Sequence, residues 1–169
     1  MPPYDTVAVG IAVVACASDL HNRRIPNLLT LGAAAAAFLL AAAHGLPAFQ
    51  STVIGWLIGL ALWLPVYALG GMGAGDVKLI AAIGAWLGPI GAVHAALYSA
   101  VAGGLMALAV ALAHGYMREA CANVRLLVTH WYVAGISPQR QLTLEGTTGP
   151  RLAYALPTLV GTMVAVWLR

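Results

Sequence analysis

The sequence predicts an all-α protein that crosses a membrane about six times. Of its 169 residues, 62% are hydrophobic and only 8% are charged, and the mean hydropathy is +0.89. A soluble domain carries about 25% charged residues. The 8 Lys and Arg and 5 Asp and Glu of this chain are too few to cover a water-facing surface. We therefore expect a polytopic membrane protein that forms one domain over residues 1–169.

Six apolar segments are predicted as helices, because a hydrocarbon layer of about 30 Å needs about 20 helical residues to cross it. In chain order they cover residues 4–20, 25–43, 49–69, 76–88, 91–117 and 151–168. The small-residue pairs Gly55–Gly59 and Gly84–Gly88 indicate close packing between helices and predict no oligomeric state.

The fourth segment is unusually short. Its 13 residues, 76–88, make a helix of about 20 Å, which does not cross a full hydrocarbon layer. Either the helix continues past Pro89, or Asp76 lies below the cytoplasmic surface. The glycine-rich stretch 70–75 favours the second alternative, because irregular backbone is tolerated at membrane depth where it lines a wet cavity or is buried in protein.

The longest polar segment, residues 118–150, is predicted as a cytoplasmic loop. Within it, four apolar residues are spaced as on one face of a helix, which predicts a helix lying on the membrane surface. They are Val124, Leu127, Val128 and Trp131. Such a helix would serve as a membrane-resting connector or would guide a substrate.

The basic residues predict the orientation of the chain, because Lys and Arg concentrate in cytoplasmic loops. With the N-terminus outside, seven of the eight lie on the cytoplasmic side and only Arg169 lies outside. The seven are Arg23, Arg24, Lys78, Arg118, Arg125, Arg140 and Arg151. Both termini are thus expected outside the cytoplasm. The net charge of +3 is interpreted as a topology signal, with membrane lipid and no nucleic acid as partner.

This topology places Asp19 and Asp76 on the same side of the membrane at similar depth. Two carboxylates that share a site can activate one water, because the ionised acid takes its proton while the protonated acid polarises a peptide carbonyl. Helix dipoles favour the anion at Asp76, at a helix N-terminus, and disfavour it at Asp19, at a C-terminus. Two alternatives stay open: Asp76 as a helix N-cap, and Asp19 as a flanking charge paired with Arg23 or Arg24.

Two motifs surround these acids. Residues 73–76 read Gly-Ala-Gly-Asp, a GxGD motif followed by Val-Lys-Leu, and residues 19–27 read Asp-Leu-His-Asn-Arg-Arg-Ile-Pro-Asn. Together they resemble the type IV prepilin peptidases, which are aspartic proteases of the membrane, and in particular the short members that serve Flp/Tad-type pili. The resemblance extends loosely to the stretch from Tyr154 to Pro157 at the start of the last helix.

The resemblance implies that Asp19 and Asp76 are the catalytic pair of a cytoplasmic-side pocket. It implies removal of a short leader from a prepilin substrate at the cytoplasmic face of a bacterial inner membrane, with no cofactor. Gly73 and Gly75 are expected to adopt positive φ and to let the backbone approach an extended substrate. Lys78 is expected to tune the acid or to contact a lipid phosphate.

Arg24 and Asn27 are expected to hold the loop near Asp19, although a helix start after Pro26 explains Ile-Pro-Asn equally well.

Longer relatives carry a cysteine-rich cytoplasmic domain that is linked to N-methylation. This sequence has no CxxC motif, and none of its five histidines are spaced i, i+4. We therefore expect no methyltransferase activity, no zinc and no other metal. Two further functions remain as alternatives: a small proton-coupled transporter, because acids in membranes often mark ion pathways, and a non-catalytic assembly scaffold of a pilus or secretion system.

Overall fold

A computed structural model describes residues 3–135, 137 and 153–168, and these residues form helices and no strand. The helices are α1 (Pro3–Asn22), α2 (Asn27–Ala43), α3 (Leu46–Ala68), α4 (Ala74–Ala113), α5 (Met117–Ala134) and α6 (Ala155–Trp167). The all-α prediction is confirmed. By length and composition, α1, α3 and α4 could each cross a membrane, and α2 and α6 are shorter apolar helices.

Helix α4 is broken at Gly88, whose φ of 72° and ψ of −176° are not helical. A Cβ atom at Gly84 would lie 3.0 Å from the Cβ of Ala92, whereas residues eight apart in a straight helix are about 12 Å apart. The chain therefore folds back here into two segments, α4N (74–87) and α4C (89–113). Glycine tolerates the left-handed φ that ends the first segment, and Pro89 is preorganised to begin the second.

This break tests the first alternative for the short fourth segment, whereas the depth of Asp76 below a membrane surface stays a prediction. The helix does not continue straight past Pro89, so that alternative is wrong. The six apolar segments α1, α2, α3, α4N, α4C and α6 correspond to the six predicted ones, whose number of membrane crossings stays a prediction. The fifth ends at Ala113 rather than at residue 117, because Gly115 adopts a φ of 74°.

Contacts between helix ends show that successive segments run antiparallel. The ring of Tyr4, near the start of α1, lies 6.4 Å from that of His44 after α2 and 6.3 Å from that of Trp86 in α4N. At the other end, Lys78 of α4N bonds Asn27, the first residue of α2. We call the end with Asn27 the site end and the end with Tyr4 the far end.

Glycines allow the helix backbones to approach closely, as the small-residue pairs predicted. Gly55 of α3 lies directly against the backbone of Gly84, and a Cβ at Gly59 would lie 2.7 Å from the carbonyl oxygen of Ile80. In the same way, Gly161 of α6 lies against Ser99 of α4C. Helix α4N is thereby enclosed, and all residues from 79 to 85 are buried. A helix that is apolar on every side belongs in a core, and the half-buried Asp76 lies at the start of this one.

Helix α5 coincides with the amphipathic stretch that the sequence predicted as a helix. Val124 and Val128 are exposed, and they line a cavity of about 560 Å³ between α5 and the end of α4C. The existence of the helix is confirmed, whereas its position on a membrane surface stays a prediction. Residues 138–150 of the predicted loop lie outside the described residues.

Candidate active site

Asp19 lies in the last turn of α1 and is buried, with 9% of its surface exposed. The backbone N–H of Ala155 donates to its Oδ2 atom over 3.3 Å. Ala155 is the first residue of α6, and the first N–H groups of a helix have no partner within it. Asp19 therefore serves as an acceptor for the start of α6. The prediction from the sequence considered only the dipole of α1, and α6 adds a field of opposite sign at the same carboxyl group.

Asp76 is the third residue of α4N, and the N-cap position belongs to Gly73. The interpretation of Asp76 as an N-cap is therefore wrong. The backbone of Gly73 and that of Asp76 itself form hydrogen bonds with the carboxyl group of Asp76. Its Oδ1 atom is buried and has no hydrogen-bond partner among the described residues. Since an unsatisfied buried oxygen is costly, this atom marks a place where a water or substrate group would be stabilised.

The two acids lie close enough to interact electrostatically. The bundle brings them together because α1 ends, and α4N begins, at the site end. The part of the chain that the structure describes shows no ion pair from Asp19 to Arg23 or Arg24, so the flanking-charge interpretation has no support there. Asp19 instead directs its carboxyl group inward, to α6.

Tyr154 precedes Ala155, which bonds Asp19, and the sequence did not single Tyr154 out as a site residue. It precedes the first residue of α6, and its phenol interacts with Asp76. Burial and, secondly, the nearby Asp76 charge raise the pKa of Tyr154 to about 12. Its ring meets Trp63 of α3 edge to face, with centroids 5.5 Å apart. The signal in the sequence was its position at the start of the last apolar segment, at the predicted level of both acids.

The two motif glycines differ from the prediction in their backbone conformation, while their approach to a substrate stays a prediction. Gly73 has a φ of −78°, and Gly75 is helical; the positive φ of 78° occurs at Gly70, where the chain turns before the motif. A Cβ at Gly73 would lie 3.1 Å from Oδ2 of Asp76, and one at Gly75 would lie 3.3 Å from Cβ of Ile25. The expectation of positive φ is wrong for both. Their missing side chains make room for the acid and for the loop after α1.

That loop is held by several hydrogen bonds. The Ser18 hydroxyl donates to the carbonyl oxygen of Arg24 over 3.0 Å, and the Arg23 N–H donates to the carbonyl oxygen of Asp19 over 2.8 Å. The ammonium of Lys78 donates to Oδ1 of Asn27 over 2.9 Å. Lys78 and Asn27 thus join α4N to the start of α2, and α2 begins after Pro26, as the proline predicted.

Fold and site together define a helical protein of membrane type with one buried acid, Asp19, and one half-buried acid, Asp76, at one end of its bundle. Residues 6–108, which include both acids, match the type IV leader peptidase family, and the chain belongs to that family. This confirms the family resemblance of the two motifs.

A prepilin leader peptidase/N-methyltransferase of Dickeya chrysanthemi is 37% identical over 86 residues, covering 47% of this chain and 30% of that relative. The chain thus matches less than a third of the relative's length. No solved structure matches the chain.

Proposed function

We propose that this protein is a membrane aspartic endopeptidase that removes the short leader from Flp/Tad-type prepilins. The observation that carries the proposal is that Asp19, which is buried, and Asp76, which is half-buried, come from distant segments and interact at the site end. The family supports a prepilin substrate, and the relative is named as a prepilin leader peptidase.

The proposed reaction uses one water between the two acids. Like charges at short range do not both ionise readily, so the pair holds one proton and titrates as a unit. The ionised acid takes a proton from the water, whose oxygen attacks the scissile carbonyl carbon, while the protonated acid gives its proton to the carbonyl oxygen. Proton transfer to the leaving nitrogen then breaks the peptide bond. The unpaired Oδ1 of Asp76 offers the place for this water.

We propose that the site faces the cytoplasm of a bacterial inner membrane, with both termini outside. Arg23, Arg24 and Lys78 all lie at the site end, which agrees with the concentration of basic residues on the cytoplasmic side. Helix α5 follows α4C at this same end, and its exposed valines suit a membrane surface. A prepilin would lay its apolar helix against the bundle while its leader stays among the headgroups.

The test is co-expression with an Flp-type prepilin, scoring leader removal on a gel for the wild type, Asp19→Asn and Asp76→Asn. We expect each substitution to abolish detectable cleavage, which corresponds to a loss of about a hundredfold or more in rate. The protein should stay in the membrane at normal abundance. Asp5→Asn is the matched control, because Asp5 is a buried acid of α1 near its far end. It is expected to retain cleavage.

Near-normal cleavage by either Asp19→Asn or Asp76→Asn would remove that acid from the mechanism. Purified wild-type protein should also cleave the prepilin in detergent, which a scaffold would not do. Proton flux in liposomes without peptide cleavage would instead indicate the transporter.

A further inference from the structure

A cavity of about 190 Å³ lies at the far end of the bundle, away from the candidate active site. Helices α1, α2, α3 and α4N all contribute to its wall. Among the lining residues, three carry rings and two carry hydroxyl groups: Tyr4, His44, Trp86, Ser51 and Thr52. We propose that this cavity binds a small organic ammonium ion, either the headgroup of an aminophospholipid or a free amine. The inference does not depend on the proposed function.

The three rings meet at the cavity without covering one another's faces. The ring of Tyr4 lies 6.4 Å from that of His44 at an interplanar angle of 79°, and 6.3 Å from that of Trp86 at 39°. Neither pair is stacked face to face. The face of a tryptophan or tyrosine ring attracts a cation that lies within about 6 Å of its centroid. A cation in this cavity would therefore be stabilised by more than one ring.

The cavity also offers hydrogen-bond acceptors. The Nδ1 atom of His44 lies 2.8 Å from the carbonyl oxygen of Leu40; because a carbonyl only accepts, Nδ1 carries the proton and Nε2 of the neutral ring keeps a lone pair. Thr52 is only 8% exposed, and its hydroxyl group has no hydrogen-bond partner among the described residues. The Ser51 hydroxyl lies beside Gly88, at the break in α4. Since an unpaired buried hydroxyl is costly, a ligand that donates N–H groups would be held here.

The size and the charges of the surroundings also suit an ammonium ion. The volume corresponds to about six waters at about 30 Å³ each, which is room for an ion of about as many heavy atoms. In the described part of the chain, Lys and Arg lie at the site end or on α5, so none repels a cation at the far end. Helices α2 and α4N end at the cavity whereas α1 and α3 begin there, so their dipoles largely oppose one another. The rings and the acceptor atoms therefore decide the preference for a cation.

The experiment is a titration of the purified protein with butylammonium and, separately, with butanol, in dodecyl maltoside, which has neither charge nor amine. Butanol has the same number of heavy atoms as butylammonium and no charge. The protein carries fluorotryptophan, and the fluorine resonance that Trp86→Phe removes reports on the cavity. We expect butylammonium to shift this resonance in a saturable way, with a Kd about tenfold lower than that of butanol.

Two variants remove the recognising groups one at a time. Tyr4→Leu removes a ring, and Thr52→Val keeps the shape of the side chain while it removes the hydroxyl group. Each is expected to raise the Kd for butylammonium by about threefold to tenfold. Tyr116→Leu is the matched control, because Tyr116 also pairs with a histidine, His114, but follows α4C at the site end. It is expected to leave the Kd unchanged.

Added phosphatidylethanolamine distinguishes the two sources of the ammonium group. If this lipid shifts the Trp86 resonance and competes with butylammonium, whereas phosphatidylglycerol does neither, the occupant is a lipid headgroup; if only butylammonium binds, it is a free amine. Equal Kd values for butylammonium and butanol, or no binding of either, would overturn the inference. Unchanged binding of butylammonium in both Tyr4→Leu and Thr52→Val would overturn it as well.

Discussion

Replacing Gly59 by alanine is expected to separate α3 from α4N and to weaken both stability and activity. The new Cβ would lie 2.7 Å from the carbonyl oxygen of Ile80 and 2.9 Å from Cα of Ala81. Both are backbone atoms of a buried helix, so neither can rotate away. The contact lies about one turn beyond Asp76, which makes it a sensitive place to disturb the acid pair.

The size of the effect follows from these distances. Ordinary contact begins at 3.4 Å, so the helices must separate by about 0.7 Å (3.4 − 2.7). Overpacking of this kind costs about 1–3 kcal/mol, while alanine in a helix gains about 0.5–1 kcal/mol over glycine. Gly32→Ala is the control for the second effect, because nothing lies within 4 Å of its new Cβ.

We expect Gly59→Ala to be less stable than Gly32→Ala by about 1–3 kcal/mol, or about 2–12 °C in Tm for a chain of this size. The measurement is thermal unfolding in detergent, followed by tryptophan fluorescence. Cleavage should fall by roughly tenfold or more, because misplacement by about 1 Å costs up to a hundredfold. Equal Tm values for the two variants, with full activity, would refute this account of the α3–α4N contact.

Three further predictions concern the site end and the break in α4. Lys78→Met should lose about 0.5–1 kcal/mol of stability through its bond to Asn27; a double-mutant cycle with Asn27→Ala measures the coupling, and strict additivity would contradict it. Gly88→Ala should lose about 1–3 kcal/mol, because its φ of 72° strains any other residue and its Cβ would lie 3.0 Å from the Ser51 hydroxyl; an unchanged Tm argues against this. Burial raises the pKa of Tyr154 from 10.0 to about 12 in the folded protein, so its contribution to the free energy of unfolding is present below pH 10 and is lost as the pH rises through 12. Tyrosinate absorbance should show one group titrating near 12 that is missing in Tyr154→Phe.

Much of the helical framework could be predicted because apolar runs record the length of the segments they form. The predicted segment 4–20 corresponds to α1, and 49–69 corresponds to α3, within a few residues. The errors occur where a single backbone dihedral decides at which residue a helix begins or ends. Helix α2 begins at Asn27 rather than Ile25 because the residue before a proline disfavours helix.

The candidate site was only partly visible in the sequence. Asp19 and Asp76 stood out because ionisable residues are rare in so apolar a chain, and the charge pattern assigned them to one side. Tyr154 and Trp63 did not stand out, because aromatic residues at helix ends are common in membrane proteins. Their rings pack together between α3 and the start of α6, and no periodicity along the chain encodes this contact.

By itself, the sequence determined that the chain is helical, which segments are apolar, and which two acids are the candidate catalytic pair. It could do so because composition and periodicity act locally along the chain. Only the tertiary structure decided that α4 folds back at Gly88, that Ala155 supports Asp19, and that the motif glycines accommodate Asp76 and Ile25. Those outcomes depend on contacts between segments distant in sequence, where a few tenths of an ångström between backbones decides which side chains fit.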